Sequence, residues 1–232
     1  MKTNKKCYAN ILGNCDSKMT REHYISEGIF NLMSGVSFTV SGFPWQKRDS
    51  TQQLRTSDLT AKVLCRKHNS ELSPIDSSAE HFFKTIYHCT RGGIQGTVDV
   101  SQLGFDFDGR DLERWLLKVA CGAIASGNHG GKDRTVPPEF VEILFGQRSW
   151  PEYFCLYSSE KTEYIVPARD HMRFDFIRDK SNKYLQGVTC YFMSVDLTLV
   201  LGNYIGVPGV KRPKALVYVH EDRQIEINLK WN

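Results

Sequence analysis

The sequence predicts an α+β protein in which a metal-stabilised N-terminal segment precedes helices and a β-rich C-terminal segment. Apolar residues recur at helical spacing in two segments between positions 74 and 125. Short runs of β-branched and aromatic residues follow Pro151. Three cysteines in polar, turn-like surroundings within the first 65 residues indicate the metal. The 232 residues suffice for one large domain or two small ones.

The two helices are predicted from about Pro74 to His88 and from Asp111 to Ala125. Ser73 suits the N-cap of the first helix and Pro74 its first turn, and we expect this helix to end before Gly92-Gly93. The apolar face of the first helix consists of Ile75, Ala79, Phe82, Phe83 and Ile86. The apolar face of the second consists of Leu112, Trp115, Leu116, Val119 and Ala123, and Gly127 is expected to end it.

The β-rich segments after Pro151 are predicted to form an antiparallel sheet. They are EYFCLYS, EYIVPA, VTCYFMSVDLTLVL, ALVYVH and IEINLKW, with turn residues between them. Residues 27–55 show no clear periodicity, and SGVSFTVSGFPW within them reads as a short strand or a loop.

Composition narrows the class of protein. No apolar run approaches the roughly 20 residues of a membrane span, and no apolar segment follows the basic start as in a signal peptide. We therefore expect a cytoplasmic protein without a membrane partner. Residues 1–72 hold 11 Lys and Arg against 6 Asp and Glu, although the whole chain has a net charge of only +4. This local surplus favours phosphate contacts in the N-terminal segment.

The seven cysteines divide into two groups. Four lie in apolar surroundings and are predicted to be buried thiols: Cys89, Cys121, Cys155 and Cys190. The other three, with one histidine, have the identity and spacing of a structural zinc site: Cys7, Cys15, Cys65 and His68. Two residues separate Cys65 from His68, the spacing at which a tight turn directs two ligands at one ion. A closed Cys3His site of this kind is structural rather than catalytic.

The N-terminal segment resembles the HNH endonuclease superfamily. The order of motifs is Cys…Cys…TREH, a long gap, then Cys-x-x-His-Asn with Leu-Ser and an acid after it. The resemblance covers about residues 7–80. It implies a zinc-stabilised ββα-metal module in residues 1–90, followed by an α+β C-terminal domain in residues 91–232 whose role stays open.

The resemblance also implies roles for individual residues. His23 matches the general base that deprotonates the attacking water, and Glu22 the acidic metal ligand before it. Asn69 matches a further ligand of the catalytic Mg²⁺ or Mn²⁺. Asp76 is either a distal ligand of that ion or a helix-capping residue.

Two positions depart from the family pattern. Residues 51–64 contain no asparagine to orient the base, and only Ser57 or Asp58 stands in that region as a substitute. The pair of predicted zinc ligands Cys65 and His68 ends in a histidine, where the family more usually has a cysteine.

Two functions remain open at this stage. The first is a metal-dependent endonuclease acting on nucleic acid, with DNA as the first choice, in restriction, anti-phage defence or a mobile element. The second is a catalytically decayed, zinc-stabilised module that binds nucleic acid or a protein partner. The C-terminal domain would then provide selectivity, a partner surface or self-association.

Overall fold

The computed structural model describes residues 4–32, 37–47, 50–95, 105–158, 161–163, 171–181, 183–202, 206–220 and 223–231. Its N-terminal elements are a 3-10 helix Tyr8–Leu12, β1 Met19–His23, α1 Glu27–Asn31, β2 Ser37–Ser41, β3 Gln52–Arg55, a 3-10 helix Thr56–Leu59, β4 Thr60–Cys65, α2 Arg66–Glu71 and α3 Ser73–Gln95. The later elements are β5 Asp106–Asp108, α4 Gly109–Ser126, α5 Pro138–Leu144, β6 Phe154–Ser158, β7 Lys161–Glu163, β8 His171–Arg178, β9 Leu185–Phe192, β10 Val195–Leu201, β11 Val210–Lys211, β12 Ala215–His220 and β13 Arg223–Lys230. The protein is thus mixed α/β, with several strands and few helices.

Both helices predicted from apolar periodicity are present, as α3 and α4. Gly127 ends α4 in the left-handed conformation, with a φ of 82°. The expected end of α3 before Gly92 is wrong, since the helix continues to Gln95. Glycine lowers helix stability by only about 1 kcal/mol relative to alanine, so two glycines weaken a helix without necessarily ending it.

A two-stranded ribbon forms the centre of the N-terminal segment. Strands β1 and β4 pair antiparallel, with His23 opposite Thr60 and Met19 opposite Cys65. The helix α2 follows β4 without a connecting residue, and α3 follows α2 after one residue. This arrangement is compatible with a zinc-stabilised module.

The described strands form two further sheets, of which one has seven strands in the order β11-β6-β10-β9-β8-β2-β3 and the other four in the order β5-β13-β12-β7. The strands after Pro151 pair antiparallel with one another except β12 with β7. They divide between the two sheets, so the prediction of a single antiparallel sheet needs correction. Parallel pairs also join β8 to β2 and β13 to β5. These parallel pairs join segments far apart in sequence, and such pairing leaves no local signal. EYIVPA lies largely outside the described residues.

The helix α4 lies at the centre of the molecule. It contacts α3, α5, β4 and the strands of the large sheet. Its Glu113 is fully buried and accepts hydrogen bonds from the backbone N–H of Leu156 at 2.9 Å and from Arg212 Nε at 3.0 Å. Such a buried carboxylate is tolerated because it is paired and hydrogen-bonded. It fixes α4 against the first residues of the β-rich segment.

One continuous apolar core includes residues from both predicted domains, among them Leu64, Phe83, Trp115 and Leu199. The predicted boundary at residue 90 lies inside α3, and β2 and β3 belong to the large sheet. The division into two independently folding domains stays a prediction. Among the described residues, no helix combines the length and apolarity that crossing a membrane requires.

Candidate metal centre and the adjoining His23 site

Four residues from three parts of the N-terminal segment converge on one point. Cys7 precedes the first 3-10 helix, Cys15 follows that helix, Cys65 is the last residue of β4, and His68 lies in α2. All four are buried, and their potential ligand atoms lie within 4.8 Å of one another. The sequence-based grouping of these four residues is therefore confirmed as a cluster.

The distances within the cluster match a tetrahedral site. His68 Nδ1 lies 3.4 Å from Cys7 Sγ, 3.8 Å from Cys15 Sγ and 3.3 Å from Cys65 Sγ. Zinc bonds of about 2.3 Å to sulfur and about 2.0 Å to nitrogen place the two ligand atoms about 3.5 Å apart across a tetrahedral angle. The four atoms thus surround a point at which one zinc ion would fit.

Backbone N–H groups point at the sulfur atoms. The N–H of Asp16 donates to Cys65 Sγ at 3.3 Å, and that of Cys65 to Cys7 Sγ at 3.4 Å. Burial acts to raise the pKa of the Cys65 thiol, but hydrogen bonds from the backbone of His68 and Asp16 bring it below its ordinary value. Burial raises the pKa of Cys7 to about 12. A buried thiol of this kind becomes a thiolate only with a cation beside it, which is what a metal ion supplies.

Asn14 orients the histidine ligand. Its Oδ1 lies 2.6 Å from His68 Nε2, so Nε2–H donates to the amide oxygen and Nδ1 keeps its lone pair for the metal. Burial also lowers the pKa of His68, which favours the neutral ligand form. Asn14 was not predicted from the sequence, although its place directly before Cys15 was a signal.

The cluster can therefore hold a structural metal such as zinc. All four positions of a tetrahedron are taken by protein atoms, which leaves none for a substrate or a reactive water. The metal would join the N-terminal loop to the end of β4 and the start of α2.

His23 ends β1 on the side of the ribbon remote from the cysteines. Its side chain is 24% exposed, and Nδ1 lies 3.9 Å from Glu27 Oε2. Burial lowers the pKa of His23 below its ordinary value, although Glu27 and a hydrogen bond to the Thr56 backbone act to raise it. A partly exposed imidazole that is neutral near pH 7 can accept a proton.

The backbone of Thr56 hydrogen-bonds to His23, and Thr56 lies in the segment 51–64 in which the resemblance implies an orienting asparagine. Neither proposed substitute has a described contact with the imidazole. Asp58 instead accepts hydrogen bonds from the backbone N–H and the guanidinium of Arg55, closing the 3-10 turn.

Glu22 points inward from β1 and contacts Lys118 of α4. Glu22 Oε1 lies 2.5 Å from Lys118 Nζ, and the two side chains are 3% and 1% exposed. Lys118 also donates to both carboxylate oxygens of Asp76, at 2.7 and 2.9 Å, and to the carbonyl of His23 at 2.9 Å. Lys118 was not predicted from the sequence. The signal was a lysine three positions after Trp115, on the apolar face of its helix.

Asp76 also receives a hydrogen bond from Ser26 Oγ, and Trp115 Nε1 donates to that same hydroxyl at 3.0 Å. Asp76 thus connects α3 to the start of α1 and to α4. Asn69 lies apart from this network, with its amide Nδ2 donating to Thr20 Oγ1 at 3.1 Å.

The described residues around Glu22 do not fit a catalytic divalent ion. An ion held by Glu22 and Asp76 would have to share their oxygens with the ammonium of Lys118, and like charges repel strongly in a buried site. Among the described His, Cys, Asp and Glu residues, the zinc cluster alone brings three or more ligand groups together. The predicted Mg²⁺ or Mn²⁺ is therefore without structural support.

No known family model matches this chain. The comparisons with curated proteins and with solved structures also found no significant match. The HNH resemblance therefore depends on the TREH and Cys-x-x-His-Asn motifs, to which the structure adds the Cys3His cluster.

The remaining cysteine predictions have clear outcomes. Cys121, Cys155 and Cys190 are buried free thiols outside the metal cluster, as predicted. Burial raises the pKa values of Cys121 and Cys190 far above the ordinary value, so both thiols stay protonated. The side chain of Cys89 lies outside the described residues.

Proposed function

We propose that this protein is an endonuclease of the HNH type, which hydrolyses phosphodiester bonds in nucleic acid at His23. The observation that carries the proposal is the placement of His23: a neutral, partly exposed imidazole at the end of a ribbon whose other end carries a metal-binding cluster. Rigid support of a reactive side chain is what such chemistry requires.

The proposed step uses His23 as a general base. The free imidazole nitrogen takes a proton from water, the water oxygen forms a bond to phosphorus, and the bond from phosphorus to the leaving sugar oxygen breaks. The Thr56 backbone contact fixes the ring, and Glu27 stabilises the imidazolium that forms. Solvent supplies the proton of the leaving oxygen. No step is assigned to a divalent ion.

Exposed cations on the same ribbon support a nucleic-acid substrate. Lys62 lies two residues from Thr60, the partner of His23, beside a register irregularity of the ribbon. Arg21 lies two residues before His23, and both cationic side chains are exposed. Neither has an ion-pair partner among the described residues. We expect them to contact the phosphate backbone, and DNA is the first substrate to test.

The test compares plasmid nicking by wild type, His23→Ala and His81→Ala. His81 is an exposed histidine on α3 and serves as the matched control. Assays contain Mg²⁺, Mn²⁺ or no added ion, in resin-treated buffer so that structural zinc is retained. We expect His23→Ala to lower the cleavage rate by about 10² to 10⁴ and to change nucleic-acid affinity by less than about tenfold. Cleavage that His23→Ala leaves unchanged would overturn the assignment.

A second candidate function is a zinc-stabilised module that binds nucleic acid or a protein partner without cutting. The placement of Lys118 between Glu22 and Asp76 favours it, because the family's catalytic ion then has no place. Under this alternative, wild type cuts neither DNA nor RNA with any ion. If the ligand is nucleic acid, binding should weaken steeply with salt, and Arg21→Ala with Lys62→Ala should reduce that dependence.

A further inference from the structure

We infer that the ammonium group of Lys118 is the resident cation of the Glu22–Asp76 carboxyl pair, in the place where the HNH resemblance implies a divalent ion. The inference concerns the carboxyl pair itself, and it stands whether or not His23 cuts nucleic acid. The same ammonium group also donates to the carbonyl oxygen of His23.

The contacts of Lys118 resemble those of a bound cation. Four oxygen atoms lie within 2.9 Å of Nζ: Glu22 Oε1, both carboxylate oxygens of Asp76 and the carbonyl oxygen of His23. Three ammonium protons serve these four oxygen atoms, so at least two of the oxygen atoms share a proton. The shortest contact joins Nζ to Glu22 Oε1, at 2.5 Å.

The fold delivers this lysine from a distant part of the chain. Lys118 lies 95 positions after His23. Gly122, one helical turn later, lets α4 approach the backbone that follows His23, since a Cβ atom there would lie 2.2 Å from Tyr24 Cβ. The helix is therefore close enough for the extended lysine side chain to end between the two carboxyl groups.

Charge explains why this arrangement excludes a second cation. Two carboxylates and one ammonium leave a net charge of one negative unit. Burial raises the pKa of Glu22 to about 6, although Lys118 acts to lower it. Partial protonation of Glu22 therefore reduces the negative charge further. A divalent ion at the same oxygens would face the ammonium across a few ångströms of buried space. Removing the ammonium while keeping the carboxyl groups should create a cation site that wild type lacks.

The experiment uses zinc-loaded, full-length protein and Tb³⁺ as the probe, with emission excited through tryptophan. Trp115 is connected to Asp76 through Ser26 and is the expected sensitiser. We expect Lys118→Met to show saturable emission with an apparent Kd at least about tenfold below any weak binding by wild type, since a repelling charge is gone. Adding Glu22→Gln to Lys118→Met should abolish this gain.

A second measurement is the Tm of protein that retains Lys118, with and without Mg²⁺ or Mn²⁺. Mg²⁺ or Mn²⁺ that bound the native pair would raise the Tm by several degrees. We expect no such shift in wild type. A shift that Glu22→Gln abolishes would overturn the inference, as would a folded, zinc-containing Lys118→Met protein that binds no Tb³⁺. Neither readout involves cleavage, so failure of this inference and failure of the nuclease proposal are distinguishable.

Discussion

The amide oxygen of Asn14 lies 2.6 Å from Nε2 of His68, and this contact determines which imidazole nitrogen faces the three cysteines. Without an acceptor at Nε2, the proton is free to occupy Nδ1 and block coordination. Residues that orient a metal-bound histidine often affect affinity as much as a weak ligand does.

Replacement of Asn14 by alanine is therefore expected to weaken zinc binding by about 10- to 100-fold. The measurement is competition with a chromophoric chelator at constant pH. Asn10→Ala is the control, because Asn10 lies in the 3-10 helix that precedes Asn14. An unchanged zinc affinity in Asn14→Ala would show that the ring is fixed by its packing against Phe145 instead.

Loss of one cysteine ligand should reduce zinc binding and stability far more than loss of Asn14. We expect purified protein to contain about one equivalent of zinc, and Cys65→Ser to lose both the metal and several kcal/mol of stability, because metal-binding energy here is folding energy. Cys155→Ser is the matched control, since it changes a buried cysteine whose thiol donates a hydrogen bond to the carbonyl of Glu152. Serine can keep that hydrogen bond. Elemental analysis and urea unfolding measure the two effects. Equal stability of both variants would rule out a structural metal.

Stability should depend on pH through Glu22. Its pKa in the folded protein is about 6, above the ordinary 4.5, so the folded state binds the proton more tightly than the unfolded state. The contribution is fully present below pH 4.5 and is lost as the pH rises through 6, a change of roughly 2 kcal/mol. Urea unfolding of wild type and Glu22→Gln at pH 5 and pH 7 measures it. Between these two pH values we expect wild type to lose about 1 kcal/mol relative to the variant, because part of the full change lies below pH 5. Parallel pH profiles would contradict the assignment.

The close approach of α4 to Tyr24 should make Gly122 intolerant of a side chain. Alanine would ordinarily stabilise a helix by about 1 kcal/mol relative to glycine. At Gly122 the added methyl would meet Tyr24 Cβ at 2.2 Å, so we expect a net destabilisation of about 1 to 3 kcal/mol and a weaker Lys118 contact with His23. Gly146→Ala is the control for an added methyl group, because a Cβ there meets nothing within 4 Å, although its φ of 70° adds backbone strain. Thermal unfolding distinguishes the two. A Gly122→Ala protein as stable as wild type would indicate that helix displacement absorbs the methyl.

Part of the fold was predictable because the pattern that encodes it is local. The apolar faces of α3 and α4 recur every three or four residues, and Gly127 ends α4 as expected. The strands after Pro151 were recognisable from their composition, but their grouping into two sheets was not. Parallel pairs such as β2 with β8 depend on contacts between distant segments, and the local sequence of one segment does not indicate its partner.

The sequence by itself predicted the four residues of the metal cluster, since three cysteines and a histidine in polar surroundings, with Cys65 and His68 at knuckle spacing, have few other uses. It also determined the position of His23 between the two halves of that cluster. Only the tertiary structure decided what lies beside Glu22 and Asp76. A buried carboxylate requires a cation, and sequence cannot say whether a dissolved ion or a distant side chain supplies it. Here the packing of α4 brings in Lys118, because Gly122 leaves room for the helix to come close.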